Sequence, residues 1–414
     1  MLFFVAALLM RAALAAAQPD ALTFEQALQL AAERSQQLIA NDAAASAARA
    51  MSMAAGEGAD PMLTVGINNM PINGPDAFSL TDDFMTMRSI GLARELTHGD
   101  KRDARSARYG REAEVAEAAR IVAIADLQRG AAAAWLERHY QERIGQVLAQ
   151  QRTDASLQIE AADLAFRSSV GPQVDILAAR SAVAKIDDQI AENASDIEVA
   201  TVRLARWIGD DARRSLGAPP ATDNISLQAT DLEGELAHHP EIALMIKQEE
   251  LARAGADVAR TNKRSNWTVE VEYSQRGPDF SNMVSVNFSK PLQWRESSRQ
   301  DQELAALLSV AQQTRAERQE ETRAHIADAR VLVTTWRANR ERLDRYAELL
   351  LPLAAERTRA AASAYRAGNG SLSAVLDARV GEIDTKLDHL SLEMETAVLW
   401  ADLNFLIPTG AHHE

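Results

Sequence analysis

Residues 165–180 read AFRSSVGPQVDILAAR, and 199 positions later residues 364–379 read AYRAGNGSLSAVLDAR. At that shift an aromatic is followed by arginine (Phe166-Arg167, Tyr365-Arg366), and a glycine follows in both copies (Gly171, Gly370). A branched residue and leucine come next (Ile176-Leu177, Val375-Leu376), then alanine and arginine (Ala179-Arg180, Ala378-Arg379). A repeat of this length means that one supersecondary plan is used twice. The chain therefore divides into a first structural repeat over 18–209, a Gly/Pro-rich joining segment over 210–235, a second repeat over 236–410 and a tail, 411–414. Each repeat turns sharply between two long helical patterns, at about 168–172 and 368–371.

The helical patterns are long. From about Asp100 to Ser168 there is no proline, and apolar residues recur at three and four. At 1.5 Å per residue that helix is on the order of 100 Å. Pro172 suits the first turn of the next helix, which runs to about Ile208. The second half repeats this from about Ser297 to Gly368, where Pro352 should kink the helix. The last helix places Leu376, Val380, Ile383, Leu387, Leu390 and Met394 on a coiled-coil stripe. Thr23 reads as the N-cap of a first amphipathic helix over Thr23–Ala40, and a second helical pattern runs on to about Gly56. LAHHPEI, residues 236–242, stands where AERSQQL, residues 32–38, stands in the first half, and helix follows to about Lys263.

Between the short and long helices each repeat carries two alternating segments, Met62–Met70 with Met87–Leu96, and Trp267–Tyr273 with Met283–Trp294. Period-two alternation bounded by Gly, Pro and Asn reads as hairpins. The fold class is mainly α with a small β part. The strand lengths fit a tilted membrane barrel, yet four strands do not close one, and open edges in lipid leave backbone groups unsatisfied. The strands must be completed by other copies of the chain, and three copies give twelve strands. Trp267 and Trp294 fall near strand ends, where an interfacial aromatic belt sits. Ordinary core positions are the alternative reading of both.

Composition narrows the function. The net charge is −15 without a basic cluster, which excludes a nucleic-acid partner. Cysteine is absent, so there is no thiolate metal site or disulfide. The run Leu2–Leu14, broken only by Arg11, precedes Ala15-Ala16-Ala17 and reads as a signal peptide over 1–17, although no positive residue leads it. The run is too short to span a bilayer comfortably. No nucleophile–base arrangement, phosphate loop or H-E-x-x-H motif occurs, so neither an enzyme nor a cofactor is expected. His238-His239 and His412-His413 invite a metal reading, but adjacent histidines on a helix point about 100° apart. No metal site is expected from them.

The order of these features resembles the TolC-type outer-membrane efflux proteins over about Phe24 to Pro408. The two hairpins, the paired turn segments and LAHHPEI carry the resemblance. It implies a homotrimer with a twelve-stranded β-barrel in the outer membrane of a Gram-negative bacterium. It also implies a long α-helical barrel in the periplasm, docked to a periplasmic adaptor protein and an inner-membrane pump of the resistance-nodulation-division type. The missing lipidation cysteine and the short tail are most similar to the heavy-metal (cobalt–zinc–cadmium type) subgroup, which implies a passive exit duct for metal cations. Export of organic compounds or secreted protein stays open, as does a periplasmic coiled-coil scaffold, a class that does not need four ten-residue strands.

In that family the two interior turns form the periplasmic tip of the tunnel. The resemblance makes Asp377 an acidic pore constriction and Asp175 a contact that holds the tip closed. Where the family often has a second Asp, three residues before Asp377, this chain has Ala374. Solvated carboxylates favoured by the helix dipole are the other reading. Arg180 and Arg379 are equivalent and are expected either to pair with those carboxylates between helices or to lie solvated on the surface. Gly171, Gly368 and Gly370 are expected to accept positive φ at the turns and to lie where an adaptor reaches the channel.

Overall fold

The computed structural model of the chain describes residues 21–169, 171–225, 234 and 239–408. The signal-peptide reading, the tail, His238, His412, His413, residues 236–237 and most of the joining segment beyond 225 lie outside the described residues. In chain order the helices are α1 (Phe24–Arg34), α2 (Gln36–Gly56), α3 (Gly99–Arg167), α4 (Gln173–Ile208), α5 (Pro240–Asn262), α6 (Gln300–Arg345), α7 (Leu351–Arg366) and α8 (Leu372–Asn404). The strands are β1 (Met62–Asn68), β2 (Met87–Leu96), β3 (Trp267–Gln275) and β4 (Met283–Ser289). The uninterrupted helix expected from about Asp100 is α3, 69 residues long.

Some boundaries differ from the sequence reading. The break between the first two helices, expected near Ala40, falls at Ser35. β4 ends at Ser289, so Trp294 lies beyond the strand. Before Pro352 the helix widens into a π turn over Tyr346–Leu350. Proline has no N–H for the carbonyl four residues back and its ring crowds that carbonyl, so the wider turn accommodates it.

The chain forms two compact units that cut across the repeats, each drawing on both halves. The first comprises residues up to Leu38, Ala123–His239 and His325 onward. Its main core is aromatic. Phe24 meets Trp135 edge-on at 5.7 Å and Trp400 at 6.0 Å. α1 is delivered to that core by a capping box, in which Thr23 and Gln26 exchange hydrogen bonds. The residue before the cap is fixed too: the Leu22 N–H donates to the Ser215 carbonyl at 2.8 Å, and Gly217 N–H donates to the Leu22 carbonyl at 3.0 Å. The indole N–H groups of Trp135 and Trp400 donate to the Leu22 and Asn224 carbonyls, so neither ring is buried with an unmet donor. Two smaller apolar clusters continue along the same helices. One joins Ala155, Val183, Ile186 and Ile383, and the other joins Ala162, Ile176, Ala179, Leu372, Val375 and Leu376.

The second unit comprises Ile39–Val122 and Pro240–Ala324. Its helices bury mainly alanines: Ala45, Ala48, Ala113, Ala118, Ala256, Ala259 and Ala311. Small side chains let helix backbones approach closely but bury little apolar area, and ion pairs accompany them. Glu114 on α3 accepts from Lys247 on α5 at 2.8 Å, and Arg111 reaches Glu250 at 3.1 Å. Glu249, nearly fully buried, is held by Arg253 and, at 2.8 Å, by Arg318. A buried carboxylate with two guanidinium partners is tolerated where an unpaired one is not. The four strands form one antiparallel sheet in the order β1-β2-β3-β4, so the two hairpins are joined edge to edge through nine β2–β3 residue pairs, Arg88↔Gln275 to Leu96↔Trp267.

Candidate functional site

The sheet has two chemically opposite faces. One row runs Leu63, Leu92, Val271, Val286, and the next on that face runs Val65, Ile90, Tyr273, Val284. Every one of these side chains is exposed. The intervening rows are Thr64, Gly91, Glu272, Ser285 and Met62, Ala93, Glu270, Asn287. Arg88 and Arg94 bound the apolar face on β2. Their six-residue separation corresponds to about 20 Å along the strand, near the ~25 Å apolar band of outer-membrane barrels. An exposed apolar face of this extent is foreign to a water-solvated sheet. β1 and β4 each pair on one side only, so both outer edges keep open backbone donors and acceptors. Among the described residues no helix is long and apolar enough to cross a membrane. Trp267 opens β3 on the apolar face, with the Lys290 ammonium 5.3 Å from its ring centroid. Trp294 is 86% exposed. Trp267 is 44% exposed, so neither tryptophan is buried within the chain.

The two interior turns, both in the first unit, have related geometry. At the end of α7, Gly368 has φ 75° and its N–H donates to Tyr365, while Asn369 N–H donates to Ala364 at 2.9 Å. This is a Schellman closure, which satisfies the last carbonyls of the helix. At the end of α3 the equivalent position is Ser169, with φ 61° and the matching N–H bond to Phe166. The expectation that Gly171 and Gly370 supply positive φ is corrected: neither is left-handed. Both are instead positions of close approach. A Cβ on Gly171 meets the Ala165 Cβ at 3.1 Å, and one on Gly370 meets the Tyr365 nitrogen at 3.1 Å.

The turns place the polar residues of the tip. Ile176 and Leu376 are buried in the cluster that ties α4 to α8, which leaves Asp175 half-buried in the first turn of α4 and Asp377 exposed one turn further into α8. Ser371 caps α8 by accepting from the Ala374 N–H at 3.2 Å. Arg180 is exposed and Arg379 half-buried. Among the described residues no ion pair joins Arg180 or Arg379 to Asp175 or Asp377; burial acts to raise the Glu382 carboxyl, but hydrogen bonds from Lys386 and Thr358 and the charges of Lys386 and Arg379 hold it below the usual range.

One polar pair escaped the sequence reading. His239 was weighed with its neighbour His238, but its structural companion is His325, on α6, with ring centroids 5.0 Å apart. Their separation along the chain gave no signal. Burial, then the neighbouring His325 and Arg129, lowers the His239 pKa to about 4, so its imidazole is neutral near pH 7.

No protein-family model and no curated protein matches this sequence. Solved structures do match its fold. CusC, described for its folding and transmembrane channel formation, is 15% identical with a TM-score of 0.76 over 94% of this chain and 92% of its own. The outer membrane protein VceC from Vibrio cholerae is 16% identical with a TM-score of 0.76, over 93% of this chain and 96% of its own. The outer-membrane channel OprN is 18% identical with a TM-score of 0.72, over 94% and 90%. The chain has the fold of these outer-membrane proteins. The order of short helix, hairpin, long helix, turn and medium helix, repeated, is that fold's order over nearly its whole length.

Proposed function

We propose that the chain is the outer-membrane exit duct of a tripartite efflux pump, working as a homotrimer. The observation that carries the reading is the two-faced sheet with two open edges. Three copies pairing β1 of one with β4 of the next give a closed barrel of twelve strands, with the apolar rows toward lipid and the rows containing Glu270 and Glu272 toward the lumen. Closure satisfies every edge group, which a single sheet in lipid does not. Trp267 and Trp294 then serve as interfacial anchors, beside the basic residue Lys290.

Transport through this component is passive. Its helical turns form the periplasmic tip, where Asp377 narrows the passage, Asp175 makes contacts that hold the tip closed, and Arg180 and Arg379 find carboxylate partners on neighbouring copies. Gly171, Gly368 and Gly370 shape the loops that a periplasmic adaptor reaches, and the adaptor links the duct to an inner-membrane pump of the resistance-nodulation-division type. Heavy-metal cations are the proposed cargo, by resemblance to that subgroup. The deciding experiment is purification from membranes in detergent, mass determination, and recording in planar bilayers. A trimer with discrete conductance steps is expected. A monomer recovered from the soluble periplasm overturns the reading. Increased sensitivity to zinc, cobalt or cadmium on deletion tests the cargo separately.

A further inference from the structure

We infer that His239 and His325 form a binding site for a borderline divalent transition-metal cation. The residue types suit the chemistry: neutral imidazole binds zinc, copper and nickel, and two in one site bind more tightly than one. The geometry brings them within reach. One nitrogen of each ring lies within 4.8 Å of the other, and the ring planes are tilted by 30°. Two metal–nitrogen bonds of about 2.0–2.1 Å require the nitrogens somewhat closer, which small side-chain rotations supply.

The surroundings favour the same reading. His239 is 4% exposed and sits directly before Pro240, the first residue of α5, where the proline ring restricts the preceding backbone. His325 is held on a continuous stretch of α6. Both ligands are thus borne by stiff backbone, which limits the entropy lost on binding. Water completes the coordination.

The test is titration of the full-length protein in detergent with Cu2+, Ni2+ and Zn2+, by calorimetry and by Cu2+ electron paramagnetic resonance. Wild type is expected to bind one ion per chain, with superhyperfine splitting from two nitrogens. His325→Gln, close in volume to the imidazole, should lower affinity by at least about tenfold and reduce the splitting to that of one nitrogen. A His412→Gln/His413→Gln variant should bind as wild type does. A circular-dichroism melt of His325→Gln without metal confirms that its fold persists, and added Zn2+ should raise the melting temperature of wild type only. Equal affinity in His325→Gln and wild type, or loss of binding in the tail variant alone, overturns the site.

Discussion

Ser169 holds a backbone angle that glycine holds at the matching position of the second repeat. For a residue with a Cβ, the left-handed region costs roughly 1–2 kcal/mol. Ser169→Gly relieves that strain at the price of a looser unfolded chain, so a net stabilisation of about 0.5–1 kcal/mol is expected. Gly368→Ala should destabilise by a similar amount. Thermal melts of the two variants, measured side by side, check both signs. The sequence showed that a turn needs glycine but not which glycine bears the angle: a serine stands at one of the two left-handed positions, and Gly171 and Gly370 are small for a different reason, contact with the helix end. Asp402 allows a pH prediction. Burial raises its carboxyl pKa, and Arg129 only partly opposes this. A raised folded pKa favours the protonated acid, so its contribution to stability is present in acid and is lost as pH rises through the folded value. Asp402→Asn should therefore melt higher than wild type at pH 7, and the difference should fade as the pH approaches ~4. A difference that is constant with pH would point to packing instead.

At the scale of elements, the strands were readable from period-two alternation and the long helices from apolar residues recurring at three and four. Pairing of β2 with β3 was not readable. Those strands belong to different repeats, and register between distant segments leaves no local signal. The structure shows why that pairing matters: it aligns the apolar rows of both hairpins into one face. Adjacent residues on β4 test the assignment of faces. Val286 lies in a full apolar row and Ser285 in a polar one. If the apolar rows meet lipid, Val286→Lys should destabilise the folded barrel by ~2–4 kcal/mol at mid-membrane. Ser285→Lys, directed to an aqueous lumen, should leave stability within ~0.5 kcal/mol. Urea titration of vesicle-inserted protein, with outer-membrane yield as the cellular readout, separates them. Equal sensitivity at the two positions would remove the lipid-facing assignment.

At the scale of the assembled molecule, one carboxylate matters only through its symmetry copies. Asp377 is exposed and makes no ion pair among the described residues, so in the proposed trimer its partners would be two other Asp377 side chains and whatever occupies the axis. Three like charges converging on a narrow passage raise the local cation concentration and repel one another unless cations or neighbouring arginines intervene. Asp175 does not double this ring by repeat symmetry, because its equivalent in the second half is Ala374, one turn before Asp377. Removing and adding charge should therefore act in opposite directions. Asp377→Asn should lower the cation-to-anion permeability ratio and weaken block by multivalent cations. Ala374→Asp should add a second ring and raise both. Reversal potentials under a salt gradient, with hexamminecobalt added from each side in turn, read the two quantities in planar bilayers. If neither variant changes them, Asp377 is a solvated helix residue and the constriction lies elsewhere in the tip. If both change from one side only, the carboxylate ring lies nearer that mouth, where docking of a partner could act on it directly.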